Sequence, residues 1–135
     1  MATSSPQFIG FSFPFRSDPV SGFPAAATDA DLIKQSLLQL VLTGSGERVM
    51  RPAVGSGVYS YLFEDNNALL QERISLDLSS LIGRFEPRVA LTGITVTPGD
   101  PSVGGDPARV DVVISYVILA TGQSAQATLT FTKAQ

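Results

Sequence analysis

The sequence predicts an α+β domain in which two main helices pack on an antiparallel sheet of about three strands, preceded by a short extended N-terminal arm. Two observations carry this reading. Apolar residues recur twice at helical spacing before residue 84, and from Val89 onward their period changes to two. The chain has 135 residues, of which 44% are hydrophobic and 16% charged, a balance that closes one globular core. A single unit over 1–135 is expected, with the arm at 1–27, the helical part at 28–83 and the sheet at 84–135.

The arm alternates Phe11, Phe13 and Phe15 with smaller residues. Pro14 confines it to a sheet edge or a non-sheet role. Its phenylalanines are read first as a flap over the core. Thr28 is a good N-cap, and Asp29 and Asp31 sit where a helix dipole favours carboxylates. Ile33, Leu37, Leu40 and Val41 then fall on one face, so a helix is expected over 29–43, stopped by Gly44. The turn-rich passage 44–57 holds Glu47-Arg48-Val49-Met50-Arg51-Pro52, with an extended piece expected at Val49. Tyr59 to Phe63 suggests one helical turn. Leu70, Ile74, Leu78, Leu81 and Ile82 form the stripe of a second helix, expected from Asn66 to Leu81 and ended by Gly83.

Val89 and Leu91 share one strand phase while Ile94 and Val96 take the other, which predicts a bulge at Thr92-Gly93. Gly99-Asp100-Pro101 and Gly105-Asp106-Pro107 are turn chemistry in a polar loop. Val110, Val112, Ile114, Tyr116 and Ile118 alternate through a long strand. Thr121-Gly122-Gln123 turns the chain into a last strand, whose inward set is Ala125, Ala127, Leu129 and Phe131. The outward set, Ser124, Gln126, Thr128, Thr130 and Thr132, is uncharged, and only Lys133 guards the edge. An edge left so open suits the addition of a strand from another chain, with Arg109 to Leu119 as the fallback edge.

Composition excludes several function classes. A net charge of -3 argues against a nucleic-acid partner. With no Cys and no His, disulfides, thiolate chemistry and a Cys/His zinc site are out, and no cofactor is expected. No basic segment leads into an apolar core between Met1 and Gly10, and Val110 to Ala120 is too short to span a bilayer, so a cytoplasmic product with no membrane partner is expected. A serine nucleophile would lack its histidine base. Glu47, Glu64, Asp65, Glu72, Asp77 and Glu86 could supply a glycosidase pair, yet no spacing selects one. Lys34 and Lys133 are the only lysines among nine basic residues, and arginine favours bidentate pairs at permanent interfaces.

Two charged clusters remain. Glu86-Pro87-Arg88 is read as an extended corner whose charges point to opposite sides of the chain, so that each needs another partner. One reading is a salt bridge inside the fold, for example from Glu86 to Arg48 or Arg51, with Arg88 in solvent. The other is a rigid charged corner that docks on another protein. Glu47, Arg48 and Arg51 carry the same two readings, as a structural turn or a contact surface.

Taken together and in order, Gly10 to Arg16, the helix with Ile33 to Leu42, Gly46-Glu47-Arg48-Val49-Met50-Arg51-Pro52 with Gly55-Ser56-Gly57, and Phe85-Glu86-Pro87-Arg88 resemble the baseplate wedge and sheath-initiator family of contractile tails, secretion systems and injection particles. Val54 departs from the aromatic usual in that loop. The resemblance implies a non-catalytic role, with no cofactor or metal. Glu86, Pro87 and Arg88, with Glu47, Arg48 and Arg51, would dock on the core-bundle proteins of the wedge. Ser124, Gln126, Thr128, Thr130 and Thr132 would receive the first ring of sheath subunits by strand addition. Tube or hub proteins would be further neighbours, and the assembly would hold six-fold copies. The protein would assemble in the cytoplasm and end as part of the baseplate. A stand-alone adaptor domain and a glycan hydrolase are the rival readings.

Overall fold

The computed structural model describes residues 6–61, 63, 64, 67–99, 102 and 104–132. Asp65, Asn66, Asp100, Pro101 and Lys133 therefore lie outside the described residues, and with them the expected helix start, one acid candidate, part of the turn repeat and the edge guard.

The arm forms a strand, β1 (Ile9–Phe11), antiparallel to β2 (Ala26–Thr28). Of the edge and non-sheet roles open to the arm, it takes an edge role, and a pairing of three residues a side is too short to show as periodicity. Helix α1 (Asp29–Leu42) follows at once. Thr28 is extended as an N-cap should be, but its side chain makes no capping bond. Asp29 sits in the left-handed region at φ 44°, and its carboxylate accepts the N–H groups of Gln7 and Phe8 at 2.8 and 3.0 Å. Its task is to pin the arm.

The helix stops at Thr43, whose extended backbone ends the run and whose hydroxyl donates to the Gln39 carbonyl at 2.6 Å. Gly44 is not left-handed; Gly55 is, at φ 128°, and any Cβ there would lie 2.4 Å from the Gly44 carbonyl oxygen. Ser56, buried between these segments, donates its hydroxyl to the Val41 carbonyl and its N–H to the Thr43 carbonyl. The loop 44–57 is thus folded back onto the end of α1. Val49 and Met50 lie in turns, not in the extended piece expected there, and Met50 has φ 62°.

A single helical turn, α2 (Val58–Tyr61), leads to α3 (Ala68–Phe85). Asn67 caps α3 through a bond from the Leu70 N–H at 2.8 Å. The helix runs through Gly83, which faces open space, and on to Phe85. Glycine costs a helix about 1 kcal/mol, which burial of Ile82 beside it outweighs. Pro87 sets the end, because it drives Glu86 out of the helical region to φ -124°, ψ 79°.

Strands β3 (Val89–Pro98), β4 (Arg109–Ile118) and β5 (Ser124–Thr132) form an antiparallel sheet in that order. Its register shifts between Leu91 and Gly93, the bulge expected there. Gly122, at φ 69°, makes the last turn. The core lies between the α1 and α3 stripes and the inner sheet face, with Ile33, Leu37, Ile74, Leu78, Ile114 and Tyr116 almost wholly buried. Both helical stripes bury the residues that spacing selected.

Candidate partner-binding surfaces

The corner at the end of α3 is built around a buried carboxylate. Glu86 is 2% exposed. Arg88 grips it through two bonds, Nε to Oε1 at 2.6 Å and Nη2 to Oε2 at 2.7 Å, and Ser36 of α1 donates to Oε2 at 2.7 Å. The ring of Phe8 lies 5.7 Å from the Arg88 guanidinium carbon, so the arm closes over the pair. This corrects the expectation that the two charges diverge. Pro87 and Arg88 lie in a turn that the Val89 N–H closes on the Glu86 carbonyl at 3.5 Å, not in an extended corner, and even in extended backbone residues i and i+2 would lie on the same side. Neither Arg48 nor Arg51 reaches Glu86. Burial pushes the Glu86 carboxyl up, but the bonds from Arg88 and Ser36 and the arginine charge together outweigh it, holding the carboxyl below its ordinary value. Pro87 stays exposed, and the Arg88 side chain retains 30% exposure.

Glu47, Arg48 and Arg51 sit elsewhere, beyond the C-terminal end of α1. The Glu47 carboxylate accepts the Gly44 N–H at 2.8 Å, a structural role in the loop. Arg48 and Arg51 are exposed, and among the described residues neither has an acidic partner within 4 Å. The six residues expected to form one docking set therefore occupy two stations along α1, near Ser36 and near Leu42. At 1.5 Å per residue these stations are separated by about 9 Å along the helix.

The arm is not the flap expected of it. Phe8 packs against the core, but Phe11 and Phe15 are about 70% exposed, with their rings 6.0 Å apart edge-on. Ser36 and Phe8 are the site residues that sequence reasoning missed. A lone serine on a helix and a phenylalanine outside any periodic run carry no spacing signal.

Strand β5 is one edge of the sheet, and Ser124, Gln126, Thr128, Thr130 and Thr132 are all exposed. The Ile118 N–H donates to the Gln123 carbonyl at 2.8 Å, and the β4–β5 register steps evenly from there. Antiparallel pairs alternate between bonded and non-bonded, so Ala125, Ala127, Leu129 and Phe131 bond to β4. Ser124, Gln126, Thr128, Thr130 and Thr132 turn their N–H and C=O groups to the open side. On the sheet surface Thr130 donates to Asp111 at 2.6 Å, and Gln126 donates to Ser115 at 3.2 Å. The fallback edge fails: β4 is paired on both sides.

Residues 27–123 match the family model of the baseplate wedge protein gp25. The chain belongs to the gp25 family of baseplate wedge proteins. Within it, the gp25 protein of Enterobacteria phage T4 is 30% identical over 66 residues, which are 49% of this chain and 50% of that protein. The chain thus spans about half the length of this curated relative. Among solved structures, a baseplate chain of pyocin R2 after contraction aligns with a TM-score of 0.58 at 26% identity, over 77% of this chain and 97% of its own. A chain of the anti-feeding prophage baseplate, six-fold symmetrised, shares the fold with a TM-score of 0.64 at 22% identity, over 95% and 87%. So does a protein described as a tail lysozyme of Geobacter sulfurreducens, with a TM-score of 0.69 at 24% identity, over 81% and 96%. The gp25 match runs from the β2 strand into the turn before β5, so it includes both stations on α1. Among the described residues no helix is long and apolar enough to cross a membrane.

Proposed function

We propose that this chain is a structural, non-catalytic subunit of a contractile-tail baseplate that docks on wedge core-bundle proteins and starts the sheath. The observation that carries the reading is the β5 edge, where five uncharged residues turn their backbone groups outward with no strand beside them among the described residues. Strand addition by the first ring of sheath subunits would satisfy those groups and supply backbone hydrogen bonds along the contact. Pro87 and the exposed part of Arg88 form one docking station for the wedge, and Arg48 and Arg51 form the other. Glu86 acts from inside by holding Arg88 in place, and Glu47 shapes the second station. Six copies, one per wedge, would ring the tail, with tube or hub proteins as inner neighbours. Assembly would take place in the cytoplasm.

Thr128→Pro tests the sheath role. Proline removes one N–H, and at Thr128 that N–H faces away from β4. The variant is expected to fold with unchanged circular dichroism and to enter baseplates. Those baseplates should carry no sheath by electron microscopy. Normal sheath growth on them would refute the template role of β5.

A further inference from the structure

The Arg48–Arg51 station adjoins an apolar surface that strand addition and the Glu86–Arg88 corner leave unused, and that surface says what the station would bind. It begins on the arm, which is fixed to α1 at three points. Asp29 binds the Gln7 and Phe8 N–H groups, Gly10 passes so close to Leu32 that a Cβ would meet its side chain at 2.8 Å, and Gln35 accepts the Phe13 N–H at 2.8 Å. Despite this anchoring, Phe11 and Phe15 stay largely exposed. At the other end stands the loop tip Val49-Met50, at least 90% exposed and held by a folded-back loop, not by a free one. Between them lies a cleft of about 330 Å³ lined by Phe13, Gln39, Leu42, Thr43, Glu47 and Arg48.

We propose that this cleft between Phe13, Leu42 and Arg48 is a docking site for a partner protein segment that presents a large apolar side chain beside a carboxylate. Charge complementarity selects the partner. Glu47 in the cleft lining is turned onto the Gly44 N–H and keeps its charge, so Arg48 and Arg51 together leave a local excess of one positive charge. Arg48 and Arg51 bracket the Val49-Met50 tip with no acid of their own among the described residues. The chain as a whole is negative at -3, so this local excess of arginine is specific to the surface. Exposed aromatic, methionine and arginine side chains around a cleft are the composition of an interface centre. The apolar side chain would enter against Phe13 and Leu42, and the carboxylate would take a bidentate bond from Arg48 or Arg51.

The inference rests on the reading of this chain as a baseplate subunit. A benzophenone amino acid placed at Leu42, at Met50 or at Pro87 would be cross-linked in assembled particles, and the captured peptide sequenced. The Leu42 and Met50 probes are expected to capture one and the same segment of a different subunit, with Asp or Glu beside a large apolar residue. Arg48→Glu should leave the melting temperature of the free chain unchanged and lower its incorporation roughly tenfold, equivalent to about 1.4 kcal/mol. Replacing the captured acid with Lys should restore incorporation. Capture of a second copy of this chain, of a segment without a carboxylate, or of nothing while the Pro87 probe still captures a neighbour would overturn the proposal and leave the baseplate reading intact. Failure of all three probes, with no incorporation of the unmodified chain, would sink both.

Discussion

At the scale of single residues, the Glu86–Arg88 pair decides how the corner behaves. Removing one partner of a buried ion pair strands the other charge, so Arg88→Ala should destabilise the free domain by about 3 kcal/mol in urea unfolding, the low end for such pairs because Ser36 still serves the carboxylate. A loss below 1 kcal/mol would show that Arg88 braces nothing. Acid sensitivity follows from the same pair. The folded carboxyl titrates below its ordinary 4.5, so its contribution is complete above that value and is lost as pH falls through the lowered one. Glu86→Gln should therefore be less stable than the parent near neutral pH, and the gap should narrow below about pH 4.5. A gap that stays constant on acidification would contradict this account.

At the scale of elements, glycine has opposite meanings in two places. Gly83 lies in the last turn of α3 with open space around it, so Gly83→Ala should raise stability by up to about 0.5–1 kcal/mol, read as a higher melting temperature. Gly55 is left-handed against the Gly44 carbonyl, and Gly55→Ala should cost about 1–3 kcal/mol or more while loosening the loop that carries Arg48 and Arg51. Equal effects at the two positions would refute the assignment. Leu37→Ala and Ile74→Ala, both at the centre of the helix–sheet core, should each cost about 2–5 kcal/mol in the same measurement.

At the scale of the whole molecule, several acids among the described residues are already held by neighbours. A general acid needs a raised pKa, and the most buried carboxylate, Glu86, is held low by its arginine. Glu64 pairs with Arg73, Glu47 caps a loop amide, and Asp77 lies 3.4 Å from the Tyr61 hydroxyl. The purified chain is expected to release no sugar from peptidoglycan above buffer. Release that disappears in a folded Glu64→Gln or Asp77→Asn variant would overturn the structural reading. The molecule presents an open strand edge on its sheet and arginine side chains at two places along α1.

The sequence by itself determined the elements that repeat. Apolar spacing fixed both helical stripes, the strands and the bulge at Thr92-Gly93, because burial of one face imposes a period that single residues must obey. It also determined which β5 residues face outward. Tertiary structure decided everything that joins segments far apart in the chain. Ser36 and Phe8 meet Glu86 and Arg88 only because α1 and the arm pack across the end of α3, and Phe13 and Arg48 line one cleft only because loop 44–57 folds back on α1. Such contacts depend on relative placement of elements, and local periodicity carries no information about it.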